Sequence, residues 1–155
     1  MTLPFLTPLS TDTLRDLGIP EPWGYGIADR VRFGEIDALG HVNNTAYLGW
    51  FETFRIHYFC EYAINDYKGT PPRIVLRRTS CDYLQEMKLN EDYIITGRTS
   101  EMRNTSFTMD YAVWSGGSLR ATAQAVIVTL DEAGKIPLPD GLRETFKSRD
   151  GAVQL

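Results

Sequence analysis

Carboxylate and amide side chains are concentrated in residues 33–44, which hold two acidic residues, two glycines, one histidine and two asparagines. A carboxylate can attack a carbonyl carbon or deprotonate water, and a backbone N–H can stabilise the oxyanion that forms. Asp37 lies shortly before a predicted helix, whose first N–H groups carry partial positive charge. Gly40 would let the intervening loop bend so that both groups face one substrate atom. Asp37 is therefore a candidate catalytic carboxylate; a simple turn-forming role is equally compatible with its residue type.

The helix after this loop is rich in aromatic residues. We predict that it begins at Asn43 or Asn44, because asparagine is a favoured N-cap, and that the Gly- and Pro-containing run 65–72 ends it. Its apolar residues recur at helical spacing and cover more than half of the circumference: Tyr47, Leu48, Trp50, Phe51, Phe54, Tyr58, Phe59 and Tyr62. A helix of this kind must be wrapped by other elements and not merely docked on a surface.

The remaining segments predict an antiparallel sheet. Residues 25–33 alternate as a half-buried strand does, with Ile27, Val31 and Phe33 on one side. Further strands are predicted at 74–83, 93–102, 106–114 and 119–130, with a tight turn at 115–118. One strand, one long helix and four strands indicate an α+β fold, in which a curved antiparallel sheet of about five strands wraps a central helix.

The length of 155 residues fits one domain, which we assign to residues 23–147. Residues 1–22 form an N-terminal extension with a short helix predicted at 10–17, and a second short helix is predicted near 137–146. The tail 148–155 is expected to be frayed. A curved sheet with free edges is most easily covered by a second copy, so we expect a homodimer, or a pair of such dimers forming a homotetramer.

The composition excludes several classes of function. Charged residues make up 23% of the chain, the net charge is −4 and basic residues are scattered, so no nucleic-acid partner is expected. The two cysteines lack metal-ligand spacing, which indicates no metal site and a reducing cytoplasm. No signal peptide and no membrane-spanning run is recognisable.

The motifs FGEIDALG at 33–40 and HVNNTAY at 41–47 resemble the signature of the 4-hydroxybenzoyl-CoA thioesterase family of hotdog-fold enzymes. The following FETFR at 51–55 resembles the helix continuation common in that family. The resemblance implies hydrolysis of an acyl-CoA to a free acid and coenzyme A. It implies Asp37 as nucleophile or general base and the backbone N–H of Asn44 as the group that polarises the thioester carbonyl. The segment HVNN is similar to members acting on aliphatic acyl-CoA and to plant acyl-carrier thioesterases, so an acyl-carrier thioester is also a candidate substrate.

Other residues receive roles from the same resemblance. The substrate-binding candidates are Gly40, His41, Val42, Asn43, Tyr47 and Phe51, and the coenzyme A candidates are Arg103, Asn104 and Ser106. No cofactor is expected, because coenzyme A is part of the substrate. His41 is expected to brace the loop, and Glu52 to pair with Arg55.

Two alternative functions remain open from the sequence. Hydratases and dehydratases of the same fold resemble a pattern with Asp and His five residues apart and Asn-Pro between them. In this chain Asp37 and His41 are four apart without an intervening proline. The second alternative is a non-catalytic acyl-CoA binding module, in which a carboxylate at a helix N-terminus would have no chemical purpose.

Overall fold

A computed structural model describes residues 2–65, 67–68 and 73–155. The helices are α1 (Thr11–Asp16), α2 (Asn44–Glu61) and α3 (Asp140–Asp150). The strands are β1 (Gly26–Arg30), β2 (Arg73–Tyr83), β3 (Asp92–Met102), β4 (Ser106–Ser115), β5 (Ser118–Asp131), β6 (Gly134–Lys135) and β7 (Val153–Gln154). Helix α2 ends at Glu61, and most of the run 65–72 that was predicted to terminate it lies outside the described residues.

In the described part of the chain the strands form one sheet with the order β1-β3-β4-β5-β2. These neighbours pair antiparallel, and β6 also adds to β5 antiparallel. Strand β7 pairs with β3 in parallel. The tight turn predicted at 115–118 joins β4 to β5, where Ser115 pairs with Ser118. The predicted α+β arrangement of one long helix against an antiparallel sheet is therefore confirmed.

Helix α2 packs its aromatic face on the sheet and forms the main core with it. Phe51, Phe54 and Tyr58 are at most 1% exposed. The helix comes closest at Gly97 of β3, where an added Cβ atom would collide with the Cε1 of Phe54. Because no side chain fits between strand and ring at that point, Gly97 allows this depth of packing.

The sheet wraps one side of α2 and leaves one stripe of the helix exposed in the single chain. Leu48 and Ile56 are 38% and 44% exposed, and Glu52 between them is also exposed. The expected pair between Glu52 and Arg55 does not form, because Arg55 donates a hydrogen bond of 3.1 Å to the hydroxyl of Tyr111. Since residues four apart share a helix face, one stripe of α2 faces outward.

The first strand is shorter than predicted. Strand β1 ends at Arg30, and residues Phe33–Glu35 form a 3-10 turn. Ile27 and Val31 enter the core as expected, but Phe33 is 83% exposed. The chain turns because the carboxylate of Glu35 accepts a hydrogen bond of 2.8 Å from the N–H of Arg32, which breaks the strand alternation.

Both ends of the chain are held against the sheet. The predicted N-terminal helix is α1, capped by Ser10, and Leu9, Leu14 and Ile19 form a small second core with Ala28. The expectation of a frayed tail at 148–155 is wrong. Helix α3 continues to Asp150, and the following residues form β7 beside β3, with Ala152 buried.

Candidate active site

The loop between β1 and α2 folds back on itself. Ile36 and Val42 form an isolated bridge, and the N–H of Asp37 donates to the carbonyl of His41 at 3.0 Å. Gly40 closes the turn with a φ of 84°, a conformation that favours glycine. The loop therefore brings Asp37 back towards the start of α2, as the sequence predicts.

Asp37 is half-buried, and its two carboxylate oxygens differ. One oxygen, Oδ1, accepts a hydrogen bond of 2.9 Å from the N–H of Leu39, which forms an Asx turn. The other oxygen, Oδ2, has no hydrogen-bond partner within the described ranges. The turn-forming role is thus present, and it leaves one oxygen available for chemistry.

The start of α2 leaves a backbone donor available. Asn43 is the N-cap, and its Oδ1 accepts hydrogen bonds of 2.9 Å from both the N–H and the hydroxyl of Thr45. Asn44 is the first helical residue, and the part of the chain that the structure describes gives its N–H no acceptor. A free N–H at this position, reinforced by the helix dipole, suits a developing negative charge.

Asp37 and Asn44 border the same cavity, of about 370 Å³, which we call the site cavity. Its lining is Asp37, Leu39, His41, Val42, Asn44, Tyr47, Tyr83, Leu84, Gln85 and Glu86. Loop, helix start and the end of β2 thus meet at one place. A thioester carbonyl bound here would have a carboxylate and an N–H donor within the same cavity.

Two tyrosines form one wall of the site cavity. The Tyr83 hydroxyl donates a hydrogen bond of 2.8 Å to the carbonyl of Asn44, and the rings of Tyr83 and Tyr47 meet edge-on with centroids 5.1 Å apart. Tyr47 is 3% exposed, and burial raises its pKa to about 12, so its hydroxyl stays protonated at neutral pH. The sequence analysis did not find Tyr83, because no local motif links it to a helix start 39 residues earlier.

The remaining loop candidates have different surroundings. His41 lies in the site cavity with its Nε2 3.6 Å from Oε2 of Glu86, a contact that braces the loop against the segment after β2. Val42 is 4% exposed and also lines the cavity. Asn43 borders a second cavity on the other flank of α2. Phe51 is 1% exposed and stacks on Tyr111, so it contributes to the core beneath the site.

The coenzyme A candidates do not lie near Asp37 in the same chain. Arg30, just before the loop, pairs with Asp92 at the start of β3, whereas Arg103 follows the other end of that strand. A strand of 11 residues spans roughly 35 Å, so the two ends of the sheet are well separated. The 103–106 turn is packed under α3, where Arg143 donates hydrogen bonds to the carbonyls of Arg103 and Asn104.

Within the described ranges, no group of three or more His, Cys, Asp or Glu side chains is arranged to hold a metal ion. The same residues contain no helix long and apolar enough to cross a membrane.

A long central helix packed on one antiparallel sheet of this strand order is the arrangement of the hotdog class of fold. The model of the thioesterase-like superfamily matches residues 31–146, and the chain belongs to that superfamily. The match covers the loop, the helix and the main strands.

Solved structures agree with this assignment. A thioesterase superfamily protein from Jannaschia sp. CCS1 is 47% identical over 99% of this chain and 100% of its own, with a TM-score of 0.94. A thioesterase from Thermus thermophilus, solved in complex with coenzyme A and Zn, is 30% identical over 85% of this chain and 98% of its own, with a TM-score of 0.75. The hotdog fold predicted from the sequence is therefore confirmed.

One curated protein is related over a shorter span. YsmA of Bacillus subtilis (strain 168) is 35% identical over 82 residues, which are 52% of this chain. The chain spans only 54% of the length of that relative.

Proposed function

We propose that this protein is an acyl-CoA thioesterase of the 4-hydroxybenzoyl-CoA thioesterase branch, with Asp37 as its catalytic carboxylate. One observation carries the proposal: within the described residues, an unpaired oxygen of Asp37 and the unpaired N–H of Asn44 border one cavity. Membership of the thioesterase-like superfamily and the motif at 33–47 support it. A cytoplasmic location stays a prediction from the sequence.

As a nucleophile, the Asp37 carboxylate attacks the thioester carbonyl carbon, and the electron pair moves to the carbonyl oxygen. The N–H of Asn44 stabilises this oxyanion. When the oxyanion collapses, the C–S bond breaks and coenzyme A leaves as a thiolate that takes a proton from water. Water then hydrolyses the mixed anhydride on Asp37, which releases the acid and regenerates the carboxylate.

As a general base, Asp37 takes a proton from water while that water attacks the same carbon. The proton then passes to the departing thiolate. Both routes place the same demands on the site, namely a free carboxylate oxygen and a donor for the oxyanion. Neither route needs a cofactor, and coenzyme A enters as part of the substrate.

The substrate-binding roles follow from the walls of the site cavity. Val42 and Tyr47 offer apolar surface for an acyl group next to Asp37, and His41 holds the loop through Glu86. Gly40 shapes the loop, Asn43 caps the helix, and Phe51 supports the floor from the core. These assignments fit an acyl-CoA or an acyl-carrier thioester.

Coenzyme A binding is proposed to need a second copy of the chain. The Thermus thermophilus relative is described as complexed with coenzyme A. In this chain Arg103, Asn104 and Ser106 lie at the end of the sheet opposite Asp37. A two-fold dimer joined antiparallel along β2 would bring the partner's 103–106 turn to the end that carries Asp37. Two such dimers would form the proposed homotetramer.

The test is the variant Asp37→Asn with Asp131→Asn as its matched control. Both aspartates accept the N–H two residues ahead, at 2.9 Å for Asp37 and 2.8 Å for Asp131, and asparagine can keep that turn. Release of free thiol from a panel of short, medium, long and aromatic acyl-CoAs is followed with a thiol reagent. We expect Asp37→Asn to abolish release and Asp131→Asn to retain it.

Calorimetric titration of Asp37→Asn with a non-hydrolysable acyl-CoA thioether separates the alternatives. Retained binding without turnover supports the proposed role of Asp37. Full turnover by Asp37→Asn would contradict it. Tight binding with no thiol release by the unsubstituted protein on any substrate would favour a non-catalytic binding module, and water addition to an enoyl-CoA would favour a hydratase.

A further inference from the structure

A single residue of β5, Arg120, holds one wall of the site cavity. Its backbone carbonyl accepts hydrogen bonds of 2.9 and 3.2 Å from the N–H groups of Leu84 and Gln85. Its guanidinium Nη1 donates a hydrogen bond of 2.8 Å to the carbonyl of Glu86. Leu84, Gln85 and Glu86 line the cavity, and we call them the 84–86 wall. Arg120 is not a lining residue itself, so it supports this wall without bordering the cavity.

The guanidinium of Arg120 is held in place by further contacts. Its Nη2 lies 3.0 Å from Oε1 of Glu91, and its Nε donates to the carbonyl of Ser115 at 3.2 Å and to Oγ of Ser118 at 2.9 Å. The side chains of Arg120 and Glu91 are only 14% and 27% exposed. An ion pair shielded from water is stronger than an exposed one, and each further hydrogen bond fixes its geometry. Arg120 therefore joins the 84–86 wall rigidly to the turn between β4 and β5.

The 84–86 wall also contacts the loop that carries Asp37. Oε2 of Glu86 lies 3.6 Å from Nε2 of His41, whose carbonyl accepts the N–H of Asp37 at 3.0 Å. The carbonyl of Met87, the next residue along the chain, accepts a hydrogen bond of 2.8 Å from the N–H of Val42. Direct contacts thus lead from β5 through the wall to the loop.

We infer that Arg120 is a positioning residue for the acyl group, because it holds the 84–86 wall at a fixed distance from the Asp37 loop and so sets the width of the site cavity. The inference rests on the proposed function and names the part of the substrate that this wall meets. Leu84 is the apolar residue of the wall, so a displaced wall loses contact with the acyl group. The coenzyme A contacts, which are proposed to come from the partner's 103–106 turn, stay in place.

The first test compares Arg120→Met with the matched control Arg149→Met. Arg149 also contacts a carboxylate and a backbone carbonyl, both of Glu61, but at the C-terminal end of α2, away from Asn44. Calorimetric titration measures the Kd of a non-hydrolysable acyl-CoA thioether and the Kd of coenzyme A itself. For Arg120→Met we expect the Kd of the thioether to rise about 3- to 10-fold, as loss of one hydrogen bond to the wall predicts, and the Kd of coenzyme A to stay unchanged. Arg149→Met should change neither.

Thiol-release kinetics separate positioning from a loss of folded protein. The wall contacts the acyl group in the bound substrate and in the transition state alike, so its displacement weakens both states equally. Arg120→Met should therefore raise KM by about 3- to 10-fold and leave kcat nearly unchanged. A protein that is merely destabilised would contain less active enzyme, which lowers the apparent kcat and leaves KM unchanged.

A second variant keeps the test decisive if Arg120→Met does not fold, since that change leaves the Glu91 carboxylate without its cation. The double variant Arg120→Met/Glu91→Gln removes both charges and keeps an acceptor for the N–H of Lys88. We expect it to show the same increases in thioether Kd and in KM, because the hydrogen bond to the carbonyl of Glu86 is lost in both variants.

Leu84→Ala tests whether Arg120 acts through the wall. On its own it should raise the thioether Kd, because it removes apolar surface that meets the acyl group. Combined with Arg120→Met it should add less than its single effect, since both changes remove the same contact. Fully additive effects would show that Arg120 acts by another route.

Three further results would overturn the inference: an unchanged thioether Kd in both Arg120 variants, an equal loss of coenzyme A affinity, or a lower kcat with unchanged KM. Failure of the proposed function has a different signature, namely full turnover by Asp37→Asn or no hydrolysis of any thioester by the unsubstituted protein. The two Kd values are measured without turnover, so failure of this inference and failure of the proposed function are distinguishable.

Discussion

Tyr83 is the last residue of the edge strand β2, and its side chain connects that strand to the first turn of the central helix α2. Its hydroxyl donates to the carbonyl of Asn44, a residue that lines the site cavity. The hydroxyl therefore acts on the same residue that is proposed to hold the oxyanion. Tyr83 is a positioning residue. It contacts the start of α2, and it can affect the thioester carbonyl only through the position of Asn44.

Removing this hydroxyl should loosen the start of α2. For Tyr83→Phe we expect the free energy of unfolding to fall by about 0.5–1.5 kcal/mol, the net value of one hydrogen bond. If Asn44 stabilises the oxyanion, kcat should fall more than KM rises, because the oxyanion forms only in the transition state. Urea denaturation and thiol-release kinetics measure the two effects. Unchanged stability and unchanged kcat together would show that Tyr83 does not hold the helix start.

The sequence predicted the residues of the loop but not their partners. Asp37, Gly40 and Asn43 were found because turn and cap chemistry acts between residues close in sequence. Tyr83 and Glu86 reach the same cavity from a distant strand end, and a single sequence contains no signal for that contact. The opposite placement of Arg103 depends in the same way on strand direction, which a motif does not reveal.

At the scale of elements, helix α3 and the tail are tied to α2 by one buried carboxylate. Asp150 is 8% exposed and accepts hydrogen bonds from the hydroxyls of Tyr58 and Tyr62 and, at 2.8 Å, from the N–H of Thr99. No basic side chain within the described ranges forms an ion pair with it. Burial therefore raises its pKa, although these hydrogen bonds partly oppose the rise.

This raised pKa makes stability depend on pH in a defined direction. In the unfolded chain the pKa of Asp150 is about 3.9. Because its pKa in the folded chain is higher, the folded chain binds this proton more tightly than the unfolded chain does. The contribution of Asp150 to the free energy of unfolding is fully present below a pH of about 3.9, and it decreases as the pH rises through the higher pKa of the folded chain. Asp150→Asn should therefore show a smaller loss of unfolding free energy on going from about pH 4 to pH 7, measured by urea denaturation.

Asp150→Ala is the contrasting variant, because it leaves the Tyr62 hydroxyl and the Thr99 N–H without an acceptor, whereas the Tyr58 hydroxyl keeps the Thr99 hydroxyl as a partner. We expect it to lower the free energy of unfolding by about 3 kcal/mol or more at all pH values. Asparagine keeps one acceptor oxygen, and its amide can donate to a tyrosine hydroxyl oxygen. Equal pH dependence in the unsubstituted protein and in Asp150→Asn would contradict the assigned role.

The elements themselves were largely predictable, and their ends were not. Alternation and helical spacing predicted α2 and the four strands after it, because burial of one face imposes those periods. The tail was expected to fray since chain ends often do. It is ordered because Asp150 and Ala152 are buried against elements far away in sequence, a contact that local pattern cannot show.

At the scale of the whole molecule, the sheet ends at β2 with an unpaired edge among the described strands. Leu76 on that strand is 46% exposed, and Leu84 just after it is 53% exposed. Leu48 and Ile56 add apolar surface on the outward stripe of α2. Exposed strand edges with apolar side chains promote association, so this side of the molecule suits the proposed homodimer.

The proposed dimer predicts that a charge on the β2 edge separates the subunits. Leu76→Asp should shift the protein from dimer to monomer in analytical ultracentrifugation, because burying an unpaired carboxylate in an interface is unfavourable. Phe5→Asp is the matched control: it adds the same charge at a residue that is 38% exposed and bridges to Ala28 of β1, at the opposite edge of the sheet from β2, and it should leave the dimer intact. Since the partner's 103–106 turn is proposed to hold coenzyme A, the monomeric variant should also lose acyl-CoA affinity while keeping its fold. A dimer that persists in Leu76→Asp would place the interface elsewhere, and monomeric protein with full acyl-CoA affinity would show that one chain binds coenzyme A alone.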